Sequence, residues 1–289
     1  MMWIVYALAS ALFAGGMSVL AKIGIKHVDS TLATALRTVV VALFAWLMVF
    51  IADSASGLAA IDSKSLVFLI LSGLATGGSW LCYFRALQVG DVNKVVPVDK
   101  SSTVLTMLLS VLLLGEGLTW YKAAAMPLIG LGTYWMIERK VDDADRKAGH
   151  QWLLYASLSA VFASLTAILG KVGIAGVEST LGTAIRTLVV LVMAWLIVFL
   201  QGTQREIRRI DRRSWAFIGL SGLATGLSWM CFYRALQQGP VSVVVPIDKL
   251  SILVTVAFGH FVLHEKLNKK PFLGLMMIVA GTLGLIFLA

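Results

Sequence analysis

SGLATGGSWLCYFRALQVG at Ser72 to Gly90 returns as SGLATGLSWMCFYRALQQG at Ser221 to Gly239, and VVPVDKSS at Val95 to Ser102 returns as VVPIDKLS at Val244 to Ser251. The same offset extends outward in both directions. Residues 3–140 align with 152–289, each residue n with n + 149, without a gap, and about half of the aligned positions are identical. The chain is one module written twice: a first repeat at 1–140, a linker at 141–151 and a second repeat at 152–289. A repeat this long and this apolar lies beyond solenoid periods and within the pattern of duplicated membrane carriers.

Hydrophobic residues make up 59% of the chain and charged ones 13%, against roughly half and a quarter in soluble domains. The excess belongs in lipid. The apolar runs are about twenty residues long, enough to cross roughly 30 Å of hydrocarbon at 1.5 Å per residue. In the first repeat they read as Trp3–Leu20, Thr31–Ala52, Ser65–Leu87, Val92–Leu114 and Leu118–Ile137, with counterparts near Trp152, Thr180, Ser214, Val241 and Leu267. Five is odd, so the second repeat must enter the bilayer upside down. The expected fold is an all-α integral membrane protein, ten transmembrane helices in a 5+5 inverted repeat. MMWIVYALASALFAGG lacks a basic leading region and its counterpart lies mid-chain at Trp152, so the first segment is expected to be a retained helix rather than a signal peptide.

A net charge of +9 would suggest nucleic acid in a soluble protein, but here position matters more than the sum. The basic residues crowd the odd-numbered loops: Lys26, Lys94, Arg139, Lys140, Arg146, Lys147, the run Arg205, Arg208, Arg209, Arg212 and Arg213, then Lys266, Lys269 and Lys270. The even loops hold little beyond Lys64 and Lys122. The positive-inside rule makes the odd loops cytoplasmic and both termini extracytoplasmic, in a multi-pass protein of the plasma (inner) membrane. No nucleic-acid partner is required. Cys82 and Cys231 are counterparts within apolar spans and read as small buried residues rather than a disulfide or metal pair.

Each repeat has a span ending in ALQVGDVNKVVPVD or ALQQGPVSVVVPID and then an apolar run. An acidic residue follows in LLLGEGLTW (Glu116) or FVLHEKLNK (Glu265), and last comes a glycine-bearing helix, PLIGLGTYWM or MIVAGTLGLI. This pattern resembles the EamA-type domain of the drug/metabolite transporter superfamily, over both repeats nearly end to end. The resemblance implies a ten-helix carrier with a central cavity between its halves.

Within the spans the ionisable residues come as counterparts: Lys22 and Lys171, Arg37 and Arg186, Arg85 and Arg234, Asp99 and Asp248, Lys100 and Lys249. A charge in hydrocarbon costs several kcal/mol unless paired or wet, which makes each a functional candidate. Lys22, Lys171, Arg85 and Arg234 lie near span ends, where snorkelling explains them. Arg37, Asp99, Lys100, Arg186, Asp248 and Lys249 lie about two turns in and are the candidates for a substrate pathway or gate. They sum to +2, so ligands bearing a carboxylate or phosphate are favoured over bare cations. The competing reading is that Asp99 pairs with Arg37 or Lys100, and Asp248 likewise, only to brace helices. Pro97 and Pro246 each leave a carbonyl one turn back without a donor, which predicts a bent, partly unwound helix start lining the route.

Ser79, Trp80, Ser228 and Trp229 are candidates for a cavity wall, with core packing as the plainer role for the tryptophans. Gly73, Gly77, Gly222 and Gly226 form Gly-x-x-x-Gly faces that read as helix contacts. Glu116 and Glu265, at helix ends, read as structural partners, and His260 is given no role. No catalytic motif or metal-ligand constellation stands out, so neither an enzyme nor a cofactor is expected. The expected function is a secondary transporter of small zwitterionic or anionic metabolites, amino-acid export preferred, working by alternating access. The alternatives are a multidrug-type cation/proton antiporter, marked by an unpaired deep carboxylate, and a non-transporting membrane scaffold. The expected partners are a small-molecule substrate, the bilayer and, as one option, a coupling proton; the oligomeric state is left open.

Overall fold

The computed structural model describes residues 2–24, 28–89, 92–136, 151–261 and 268–288. Every regular element among them is helical. Twelve α-helices follow in order: α1 Met2–Gly24, α2 Ser30–Ile51, α3 Ser63–Val89, α4 Val92–Lys100, α5 Ser102–Leu114, α6 Trp120–Met136, α7 Gln151–Gly173, α8 Ser179–Gln201, α9 Arg212–Gln238, α10 Val241–Lys249, α11 Ser251–Phe261 and α12 Lys269–Leu288. Two 3-10 helices, Ser54–Ala60 and Thr203–Arg209, connect α2 to α3 and α8 to α9. Residues 137–150, and with them nearly all of the linker, lie outside the described residues, as do Lys26 and Glu265.

Local chemistry sets the boundaries. Lipid offers a backbone no hydrogen-bonding partner, so a span must satisfy itself as a helix. Asp29 caps α2 through the N–H groups of Thr31 and Leu32 at 3.0 and 2.9 Å, and its counterpart Glu178 caps α8 through Leu181 at 3.0 Å. Gly202 ends α8 in the left-handed region at φ 73°, where a Cβ would be strained.

Eight helices among the described residues are long and apolar enough to cross a membrane, with α10 and α11 counted as one run, Val241–Phe258. The chain is thus a multi-pass, all-helical membrane protein. The first repeat's α4–α5 run, divided at Ser101 as α10–α11 is at Leu250, and the 17-residue α6 are not among the eight. The surface inverts the soluble pattern. Leu43, Phe50, Val192 and Leu200 are about 70% exposed, while Ser10, Ser159, Thr187 and Ser242 are completely buried.

Contacts between elements exchange when the repeats are exchanged. α1 packs on α9 as α3 packs on α7, α1 packs on α11 as α5 packs on α7, α2 meets its own counterpart α8, and α6 meets α12. The predicted Gly-x-x-x-Gly faces are helix contacts. A Cβ at Gly73 would sit 2.7 Å from the Val189 Cβ, and one at Gly222 would sit 2.7 Å from the Val40 Cβ, so α3 and α9 press against α8 and α2 at backbone distance.

The prolines do not unwind the starts of their helices. Pro246 lies inside the nine-residue α10, and the interruption follows the Asp-Lys pair at Leu250, as it does at Ser101 in the first repeat. There the ladder tightens to i→i+3 bonds, Leu250 N–H to Ile247 at 3.0 Å and Ser101 N–H to Val98 at 3.2 Å. The side chain of Pro97 lies outside the described residues.

Candidate functional site

A cavity of about 470 Å³ lies between the repeats. Arg37, Lys100, Arg186, Asp248 and Lys249 line it, and so do Ser79, Trp80, Ser228 and Trp229. Thus the structure brings together nine of the sequence candidates from α2, α3, α4, α8, α9 and α10. Asp99 stands beside it, 3.9 Å from the Lys100 ammonium.

Arg186 is the most deeply set cation among the described residues. It is 3% exposed. Its Nε donates to Ser72 Oγ at 3.0 Å and its Nη2 to Thr76 Oγ1 at 2.5 Å. Its guanidinium carbon lies 5.1 Å from the Trp229 ring centre and 4.7 Å from that of Tyr233. Nη1 has no hydrogen-bond partner, and no carboxylate stands within ion-pair distance among the described residues. Neutral hydroxyls and ring faces hold the guanidinium in place without neutralising it. Ser72 and Thr76 are one turn apart on α3 of the other repeat, on the strip where Gly73 and Gly77 admit α8. Arg37 differs: its Nη1 reaches the Met17 sulfur at 3.2 Å, and Phe84 stands where the second repeat has Tyr233.

Of the bracing pairs weighed inside each half, Asp99–Lys100 is present at 3.9 Å, and no Asp–Arg pair forms among the described residues. Asp99 keeps Lys100, but its stronger contact is Ser159 Oγ of the second repeat at 2.7 Å, and Ser159 in turn lies 3.2 Å from Ser79 Oγ. Asp248 accepts from Ser10 Oγ at 2.6 Å, and Ser10 lies 3.2 Å from Ser228 Oγ. Neither aspartate pairs with an arginine among the described residues, and each is held by a serine of the opposite repeat. Ser79 and Ser228, expected only as wall residues, complete these networks. Sequence reasoning missed Ser10 and Ser159; the available signal was that each is a preserved hydroxyl in an otherwise apolar span.

Of the residues assigned to snorkelling, Lys171, Arg85 and Arg234 have partners, and the Lys22 side chain lies outside the described residues. Lys171 donates to the carbonyls of Leu236, Gln237 (3.3 Å) and Gly239 (3.0 Å), the free end of α9. Arg234 lies 3.8 Å from Glu178. Glu116 reaches across the repeats to the start of α10, accepting from the N–H groups of Val241 at 2.5 Å and Ser242 at 3.0 Å and from the Ser242 hydroxyl. An anion at a helix start and a cation at a helix end both meet favourable dipole charge. Lys122 supports the carboxylate at 3.8 Å.

These contacts seal one end of the cavity. Val241, Val243, Val244, Ile247 and Leu236 are fully buried and Tyr233 is 2% exposed. Their described counterparts in the first repeat are mixed: Phe84 and Leu87 are half-buried and Arg85 and Gln88 exposed, while Val95 is fully buried. The Lys100 side chain is 52% exposed. The ends of α3 and α9 are therefore unequally buried.

Two copies of one module, with charged groups between them, have a family counterpart. Residues 1–137 and 150–287 both match the EamA-like transporter family. The chain belongs to the EamA-like transporter family. An uncharacterized transporter in the cobO 3′ region of a Sinorhizobium species is 46% identical over 132 residues, which cover 46% of this chain and 94% of that relative. The relative is therefore about one repeat long. A crystal structure sharing 18% identity superposes at a TM-score of 0.78 over all of this chain and 97% of its own, a likeness of fold.

Proposed function

We propose that the chain is a secondary transporter that moves small zwitterionic or anionic metabolites by alternating access, with amino-acid export the preferred case. The observation that carries this reading is Arg186, a buried cation on the cavity wall with no carboxylate partner and Nη1 unpaired. A ligand carboxylate would complete its hydrogen bonding. Asp248, on the same wall, would receive an ammonium. Substrate binding then relieves an unsatisfied buried charge, which gives the loaded state an advantage over the empty one.

Ten spans as two five-helix repeats of opposite orientation suit the exchange of contacts between α1–α9 and α3–α7. With the odd loops cytoplasmic, both termini and the sealed α9–α10 junction face the exterior of the plasma membrane, and the less buried end of α3 faces the cytoplasm. The unequal packing is what one resting state of an alternating carrier requires. The antiporter reading gains one observation: no ion pair engages Asp248 among the described residues, only Ser10. Four cations around the cavity oppose it.

The test is uptake by proteoliposomes of labelled amino acids, organic acids, phosphorylated metabolites and quaternary amines. Amino-acid flux that Arg186→Gln abolishes while the protein remains folded is the expected result. Flux of quaternary amines alone selects the antiporter, and no flux of any class selects the scaffold.

A further inference from the structure

We propose that the arginine cluster between α8 and α9 is a docking surface for anionic phospholipid headgroups. Arg205, Arg208, Arg209, Arg212 and Arg213 lie within nine positions and are all exposed. Only two acidic residues share the segment, Glu206 and Asp211. The Asp211 carboxylate is occupied by the N–H groups of Arg213 at 3.1 Å and Ser214 at 3.2 Å. No ion pair among the described residues involves any of the five guanidiniums. Five like charges at such spacing repel one another and require external anions.

The surrounding layers identify which anions. Ile207 and Ile210 turn inward onto the cluster of Ala194, Val198 and Ile218 and so fix the segment against the bundle. The neighbouring ends of α8 and α9 present Phe199, Leu200 and Trp215, 60%, 70% and 42% exposed. Arg213 lies 5.8 Å over the Phe217 ring. Exposed aliphatic and aromatic side chains directly beside guanidiniums are the composition of a membrane boundary. Because the segment joins two spans, headgroups are its unavoidable neighbours whichever way the chain is oriented. A soluble acidic partner would have to be recruited.

The duplication supplies an internal control. The counterpart 3-10 helix Ser54–Ala60 adopts the same form with Ser56, Ala59, Ala60, Ser63 and Lys64 in the five positions. The fold does not require the arginines, so their role lies outside it. Each basic residue near an anionic surface favours association roughly fivefold.

The experiment uses the full chain in neutral detergent, with mixed micelles of phosphatidylglycerol or phosphatidylcholine, bound lipids counted by native mass spectrometry and stability followed by thermal unfolding. The quadruple variant Arg205→Ser, Arg208→Ala, Arg209→Ala, Arg212→Ser copies the first repeat. Wild type should retain phosphatidylglycerol over phosphatidylcholine, the preference should weaken with salt, and the variant should lose at least tenfold of it. The four Lys replacements should keep most of it. Glycerol phosphate at equal concentration should not compete, since the lipid is held at the boundary by its chains. A preference unchanged in the quadruple variant, full competition by glycerol phosphate, or retention of nucleic acid or an acidic protein in place of the lipid overturns the proposal.

Discussion

Ser10 of the first repeat donates a 2.6 Å hydrogen bond to the Asp248 carboxylate of the second. A hydrogen bond to a charged group contributes about 1.5–3 kcal/mol, and this one joins α1 to α10 beside the cavity. Ser10→Ala should lower the unfolding temperature in detergent. In a double-mutant cycle with Asp248→Asn, the coupling should be about 1 kcal/mol or more. Additive effects would mean that the contact carries no energy.

Glu116 should behave as a latch. Glu116→Gln keeps the size but removes the charge that engages two N–H groups and a hydroxyl of α10. Val243→Cys, fully buried in the sealed state, placed in a Cys82→Ser, Cys231→Ser background, should react faster with a thiol reagent when Glu116 is Gln. Lys171→Met should act in the same direction by uncapping α9. Unchanged labelling in both would dissociate these residues from the seal.

The two aspartates stand at junctions of opposite repeats, so their neutralisation should bias the carrier oppositely. A tenfold population shift needs only about 1.4 kcal/mol, within reach of one charged hydrogen bond. With single cysteines along α5 and α11 and an impermeant reagent outside, Asp99→Asn should lower labelling and Asp248→Asn should raise it. Parallel changes would reduce both aspartates to bracing.

Acid stability has a separate origin, at the entrances of α3 and α9. The Ser214 side chain and N–H hold Asp211 below its ordinary carboxyl value of 3.8, and Ser65 does the same for Asp62. A lowered folded-state value means that the stabilisation is present above the ordinary value and is lost as pH falls through the lowered one. Thermal unfolding of wild type should therefore lose stability below roughly pH 4. The Asp62→Asn, Asp211→Asn variant, which still caps but does not titrate, should be nearly as stable at pH 7 and should show a shallower acid decline.

The duplication, the helical class and the gathering of Arg37, Arg186, Lys100, Asp248 and Lys249 were legible because each rests on a count, an offset or the cost of a charge in lipid. The partners were not. Which hydroxyl meets Asp99 depends on how α7 crosses α3, and no pattern within either helix encodes that crossing. The interruption moved from the prolines to Ser101 and Leu250 because a helix tolerates an internal proline where neighbours pack it, as they do the buried Pro246. The unequal ends are also beyond reading. Glu116 and Glu265 stand in equivalent positions of one repeated sequence, and which junction is packed is a property of a conformation rather than of composition.

The crossed serine–aspartate contacts carry a consequence for biosynthesis. When the first repeat has left the ribosome, Asp99 has no Ser159 to meet it and Asp248, the partner of Ser10, does not yet exist. The helices of the first repeat then lack the hydroxyl that meets Asp99 and the carboxylate that meets Ser10, and only emergence of the second repeat supplies them. Each repeat is the other's folding template. A chain of single-repeat length faces the same deficit and meets it only by finding a second copy.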